Sequence, residues 1–301
     1  MASVLILIVV ATGTIWQRKA PDSTPRILSV TAMPGLEQDP SISPDGNFVA
    51  FSWTGQDPGG IPDIWIKTVD HEALRRLTET AYAESGPAWS ADGREIAFVR
   101  EGAGIFAVSA LGGPERLIAK SGSIVRWAPD GRSVFVGDHA GGGAPPGIFR
   151  IDLGTGQRTQ LTQASSGLGD LVFDVSPDGS TLAFVRYNRV GDVYVVSSRG
   201  GEPRRRTDWN ATIGGIAWMP GGREILYSVH EATGLDQYVF RTSADGQSLE
   251  RGVRALHTPV NGPSLSRPGP GRPGRMAFTT GHLDVALQRL ELHRQRRNGV
   301  I

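Results

Sequence analysis

The 301-residue chain has no cysteine. Disulfide frameworks, thiolate nucleophiles and thiolate zinc sites are therefore excluded, while the cellular compartment stays open. Histidine is scarce, with six residues scattered along the chain. Neither charge is in surplus: 31 Lys and Arg face 30 Asp and Glu. A dedicated nucleic-acid-binding domain would be strongly basic, so this balance argues against one. No Gly-x-Ser-x-Gly elbow, His-Glu-x-x-His helix, P-loop or dinucleotide fingerprint occurs. No loop carries the Asp-x-Asp-x-Asp-Gly spacing of a calcium site. Neither cofactor nor metal is expected. Abundant instead are Gly, with 40 residues, and Pro, with 20. Together they make about one residue in five, against a usual share nearer one in eight. With 39% apolar residues the chain can still bury a large core. The composition is that of a turn-rich folded protein.

Charge is also missing from Ala2 to Trp16, after which Gln17-Arg18-Lys19 ends the run. As a helix, about 15 residues would span roughly 22 Å. A bilayer core is about 30 Å thick. The run also lacks the positive start of an ordinary signal peptide. Residues 1–20 are expected to be a membrane anchor or signal-like segment, with a buried strand as the alternative. The rest divides into a repeat domain, residues 24–292, and a basic tail, residues 293–301.

One phrase organises that domain. It reads Pro40-Ser-Ile-Ser-Pro-Asp-Gly46 and then Phe48-Val-Ala-Phe51. Further copies begin at Pro87, Val125, Phe173, Ile216 and, in degenerate form, Pro263. Their closing residues 51, 98, 136, 184, 227 and 278 are spaced by 47, 38, 48, 43 and 51. Such a period marks a propeller or a solenoid. Each copy continues with a loop, an apolar run such as Ile64-Trp-Ile66, a turn such as Arg199-Gly-Gly-Glu202, and an Arg-rich segment such as Arg75-Arg-Leu-Thr78. Pro-Asp-Gly between two apolar runs is a hairpin turn. Four short strands per repeat describe a propeller blade. Strand a precedes Pro-Asp-Gly, and strands b, c and d follow.

The last copy has no Arg-Leu-Thr segment after Leu290. Arg26-Ile-Leu-Ser-Val-Thr31 supplies it from the other end, since Thr31 lies nine residues before Pro40, as Thr78 does before Pro87. The expected fold is an all-β, six-bladed β-propeller of four-stranded blades, its ring closed by the N-terminal strand.

The phrase Trp-Ser-Pro-Asp-Gly, the closing Ala-Phe, Gly-Gly and Arg-Leu-Thr resemble the TolB-type propeller repeat, a relative of WD-type blades. From Leu28 to Gly113 the sequence is similar to the extracytoplasmic propeller of certain bacterial membrane-bound regulators. The resemblance implies a non-catalytic propeller that binds a protein, peptide or small ligand. It also implies a membrane-anchored, extracytoplasmic or periplasmic location, with secretion as the alternative. The rival reading is an enzyme: a propeller lyase or glycosidase, or the isolated propeller of a prolyl-oligopeptidase-type hydrolase. Nucleic-acid binding by the propeller is not expected.

In a propeller the irregular d–a and b–c loops share one face, and binding usually sits on such loops. That face carries the candidate ligand-binding residues Glu37, Asp39, Glu84, Asp138, His139, Asp170, His230 and Asp236. Their acids would attract a cationic or polar ligand to the channel mouth. No catalytic residue is expected. Asp45, Asp92, Asp130 and Asp178 are expected to bond their own turns. Trp89, Trp127 and Trp218 recur at one position of strand a and are expected to pack blades together. The Arg residues of the d segments are expected to protect outer sheet edges from pairing.

Overall fold

The computed structural model describes residues 27–31, 33–164, 166–188, 190–208, 211–230, 237–246, 261–268, 274–280 and 286–292. The expected anchor, residues 1–20, and the basic tail lie outside them. All regular elements among the described residues are strands. No helix there is long and apolar enough to cross a membrane.

The chain enters through β1 (Ile27–Ser29). It then builds successive antiparallel sheets. The first comprises β2 (Glu37–Ile42), β3 (Phe48–Trp53), β4 (Asp63–Thr68) and β5 (Leu74–Arg76). The second comprises β6 (Glu84–Trp89), β7 (Glu95–Arg100), β8 (Gly104–Ser109) and β9 (Arg116–Ala119). The third holds β10 (Ile124–Trp127), β11 (Ser133–Asp138), β12 (Gly147–Asp152) and β13 (Arg158–Gln160). The fourth holds β14 (Gly169–Val175), β15 (Thr181–Asn188), β16 (Val190–Ser197) and β17 (Arg204–Arg205). Next come β18 (Thr212–Trp218), β19 (Glu224–His230) and β20 (Gln237–Ser243), a sheet of three described strands. The last sheet joins β21 (Asn261–Leu265), β22 (Gly274–Thr280) and β23 (Ala286–Leu292) to β1.

Five four-stranded blades are therefore complete among the described residues, where six were expected. The shortfall is in the sheet β18–β20, because residues 247–260, which follow it, are not described. The pairing of the chain's two ends is present. Ile27 registers with Leu290, Leu28 with Arg289 and Ser29 with Gln288. Deleting residues 1–31 removes this strand and exposes β23 as an edge. The expected outcome is aggregation or a large fall in melting temperature. An unchanged melting temperature would contradict the closure.

The first strands of the sheets, β2, β6, β10, β14, β18 and β21, lie side by side, and β21 returns to β2. They form the wall of a central channel. The residues that close each repeat phrase form the core around it. Phe51, Phe98, Val136, Phe184, Tyr227 and Phe278 are all essentially inaccessible to solvent. Burying a large apolar side chain contributes about 1.5–3 kcal/mol.

A repeated hydrogen bond ties neighbouring first strands together. The Trp89 indole N–H donates to the Ser41 carbonyl at 2.9 Å, Trp127 to Ala88 at 3.1 Å and Trp218 to Asp174 at 3.2 Å. The three recurring tryptophans thus pack blades together, as expected. Ring closure has its own bond, from the Ile42 N–H to the Ser264 hydroxyl at 3.0 Å.

The turns behave as their composition predicts. Asp45 accepts the Ser43 hydroxyl at 2.6 Å and the Asn47 N–H at 3.1 Å. Asp92 and Asp178 repeat this with Ser90 and Ser176. Those bonds hold the carboxyls of Asp92 and Asp178 below their ordinary range. Asp130 accepts the backbone N–H of Arg132 at 2.9 Å but receives no serine hydroxyl, because Ala128 replaces the serine. Gly93 and Gly179, at φ +72° and +75°, are required by the turn. Arg75, Arg76, Arg116, Arg158, Arg204 and Arg205 all fall on outermost strands.

Candidate functional site: the central channel

The channel holds a cavity of about 300 Å³. Its lining comes from one stretch of each first strand, around the point where the chain enters Ser-Pro-Asp-Gly. Aligning the repeats on that phrase puts Ser41, Ala88, Arg126, Asp174, Ala217 and Ser264 at one register position. Four of the six are small. The other two are opposite charges on the adjoining strands β10 and β14, and both line the cavity.

Arg126 and Asp174 are each half-buried. Arg126 donates from Nη1 to the carbonyl of its neighbour Val125 at 2.8 Å. Asp174 accepts the Trp218 backbone N–H at 2.7 Å. Among the described residues neither forms a salt bridge. Loss of water is the main influence on both. It holds the Arg126 guanidinium below its ordinary value, opposed by the charges of Asp174 and Asp39. It pushes the Asp174 carboxyl up, opposed by Arg126. A desolvated charge pair of this kind in a cavity is chemically marked as a site.

Above this level the first strands are bulged. Pairing skips between Gln38 and Ser41, Ser85 and Ala88, Leu171 and Phe173, and Asn261 and Ser264. The inserted residues include Asp39, Gly86, Val172 and Gly262, with φ of +52°, +59°, +48° and +56°. Glycine adopts this region freely, but a β-branched valine there is strained. Bulges re-aim side chains next to functional sites. Here the bulge sets Asp39 on the cavity wall, where Oδ2 accepts the Gly86 N–H of the next blade at 3.1 Å.

The structure separates the residues anticipated from sequence. Asp39 is exposed and lines the cavity. Glu37 and Glu84 open their first strands and Asp170 is the second residue of its own, but all three are fully buried. Strand pairing explains this. Glu84 registers with Arg100 and Asp170 with Arg186. Arg100 donates to Glu84 Oε1 from Nε at 2.8 Å and from Nη2 at 2.6 Å. Arg186 holds Asp170 through Nε at 2.6 Å and Nη2 at 2.9 Å. Glu37 registers with Trp53 instead and receives the Thr31 hydroxyl at 2.6 Å. Its other oxygen is buried without a hydrogen-bond partner. Asp138 is buried between the Ser121 hydroxyl at 2.6 Å and Arg158 at 2.8 Å. His139 is exposed, with Nδ1 3.2 Å from the Ala144 carbonyl. His230 ends β19, half-buried. Asp236 lies outside the described residues. Arg126 and Asp174 were not anticipated. Among the described residues no group of three or more His, Asp or Glu is placed to hold a metal.

No family model matches the chain. A curated relative, the uncharacterized peptidase YuxL of Bacillus subtilis, is 27% identical over 224 residues. That match covers 69% of this chain, and the chain spans only 31% of the relative's length. Among solved structures, a putative TolB from Agrobacterium tumefaciens superposes with TM-score 0.60 at 22% identity, covering 73% of this chain and 81% of the other. An oligogalacturonate lyase from Vibrio parahaemolyticus gives TM-score 0.58 at 14% identity, covering 90% and 94%. At these identities the likeness is one of fold, and the fold is a TolB-like β-propeller.

Proposed function

We propose that the chain is a binding propeller that takes a polar ligand, or the polar end of a peptide or protein, into its central channel. The observation that carries this reading is the cavity of about 300 Å³ with two opposite, desolvated charges on its wall. That volume is at the lower end of small-molecule sites, roughly 300–1,000 Å³. The reading takes the sheet β18–β20 as the sixth blade, in keeping with the six copies of the repeat phrase. It places the propeller outside the cytoplasm, tethered through residues 1–20, in keeping with its TolB-like fold. Glu37, Glu84, Asp138 and Asp170 shape the loop face from within, and Asp39, Arg126 and Asp174 meet the ligand.

A second reading rests on the peptidase relative, of which the chain spans 31%. In it the propeller is one part of a larger hydrolase-like protein and its channel admits that protein's substrate.

Ligand-induced stabilisation of the full chain tests the channel. Neutral sugars, organic anions, amines, amino acids and short peptides would be screened by thermal shift on the unaltered chain and on Ser41→Trp, which fills the cavity. Compounds that raise the melting temperature of the unaltered chain are expected to leave the filled variant unmoved. Equal shifts in both would place binding elsewhere and overturn the reading.

A further inference from the structure

The chemistry of the cavity wall narrows the ligand class. Arg126 and Asp174 stand at one register position on adjoining strands, so their heads project into the cavity at one level. Each is held by a backbone partner from one side, Arg126 by the Val125 carbonyl and Asp174 by the Trp218 N–H. Arg126 carries five N–H donors in a planar fork, and the bond to the Val125 carbonyl uses one of them. Asp174 receives the backbone N–H groups of Trp218 and Val175, which take two of the roughly four acceptor positions of a carboxylate. The remaining positions of the ring, Ser41, Ala88, Ala217 and Ser264, are small and uncharged. They leave room in front of the charges, and the other ionisable residues of the lining, Asp39 and Arg267, are exposed.

A ligand of a single charge would satisfy one wall group and face repulsion from the other. A neutral ligand would strip water from both without replacing the lost interaction. A dipolar ligand meets both at once. Its anion takes the guanidinium fork, which matches a carboxylate in two parallel hydrogen bonds. Its cation takes Asp174. Asp39, on the first strand of another blade, adds a second negative charge to the lining, and its charge also acts on Arg126.

We propose that the channel binds a zwitterionic small molecule, its anionic group on Arg126 and its ammonium or other cationic group on Asp174. This inference rests on the channel-binding reading and adds the ligand's charge pattern to it.

A series of ω-amino acids from glycine to ε-aminocaproate tests it, titrated calorimetrically into the full chain. Such molecules hold a carboxylate and an ammonium at increasing separation, so the series acts as a ruler for the site. Caproate and hexylamine are the singly charged controls. At least one member of the series is expected to bind saturably, and both controls to bind at least about tenfold more weakly. Arg126→Gln keeps a donor for the Val125 carbonyl, and Asp174→Asn keeps an acceptor for the Trp218 N–H. Each variant is expected to lose roughly tenfold or more in affinity for the best ω-amino acid while melting as the unaltered chain does. The control comparison uses the unaltered chain, so it decides the matter even where a variant does not fold. Controls that bind as tightly as the dipolar series would overturn the proposal. So would a series in which no member binds. Should a neutral compound from the screen above bind the channel while every ω-amino acid fails, the zwitterion inference falls and channel binding stands.

Discussion

Replacing Arg100 by Met is expected to lower stability at neutral pH by about 3–5 kcal/mol, the cost of leaving a buried ion without its partner. Glu84 is fully buried, and the Arg100 side chain is 10% exposed. Burial already pushes the Glu84 carboxyl up, and the Thr78 and Arg100 hydrogen bonds oppose that. Without the guanidinium, the Thr78 hydroxyl is the main remaining support. Methionine keeps the apolar stem over Phe106, where the guanidinium lies 4.3 Å from the ring centre. The loss therefore reports chiefly on the charge. Protonating Glu84 relieves it, so the deficit should shrink as the pH falls. The comparison is Arg116→Met, which removes a pair with Glu95 whose side chains are 45% and 35% exposed. Exposed pairs contribute about 0–1 kcal/mol. Urea unfolding of both variants checks the contrast. Equal, small losses would mean that the Arg100 pair is not the buried anchor described.

The second large effect is at Glu37, in the position of Glu84 and Asp170 but opposite Trp53. Among the described residues no arginine is paired with it. Burial raises its carboxyl from an ordinary 4.5 to about 7, while the Thr31 hydrogen bond and the charge of Lys67 act the other way. The folded chain therefore holds this proton more tightly than the unfolded chain does. The associated stability is fully present below about pH 4.5 and is lost as the pH rises through about 7. A shift of this size is worth about 3 kcal/mol. Glu37→Gln carries no ionisable group. Relative to the unaltered chain, it should become more stable by about 3 kcal/mol between acid and mildly alkaline pH. Unfolding curves for both proteins across that window measure the difference. A difference that does not change with pH would show that the Glu37 carboxyl titrates alike in the folded and unfolded chains, and would contradict its raised value.

These two predictions mark where the sequence could and could not be read. The turns were legible because their chemistry is local: Ser43-Pro-Asp-Gly46 needs only its own side chains and a left-handed glycine. The pairing of β1 with β23 was legible because Thr31 keeps the same distance from its first strand as Thr78 does. The acids were harder. Glu84 and Asp170 read as solvent-facing letters before a strand, since the arginines opposite them lie 16 residues further on. Only pairing register makes them buried partners. Arg126 and Asp174 left a signal that alignment of the copies exposes: a position held by Ser or Ala in four repeats carries opposite charges in two successive ones. Among the left-handed bulge residues Val172 left no signal, because a β-branched residue is not a type that adopts that conformation, unlike Gly86 and Gly262.

The central claim, a ligand held in the channel at Arg126 and Asp174, is tested most directly by the tryptophan indole N–H signals in a nitrogen–proton NMR titration with each ω-amino acid of the series, the tightest binder being decisive. Trp89, Trp127 and Trp218 line the cavity and bond to first-strand carbonyls, Trp218 to Asp174 itself. Trp53 bonds to the Pro34 carbonyl, away from the channel lining. The account predicts saturable movement of the Trp127 and Trp218 signals, with Trp53 unmoved and no movement in Arg126→Gln. Movement confined to Trp53, or unchanged signals at every tryptophan up to saturating ligand, would contradict it.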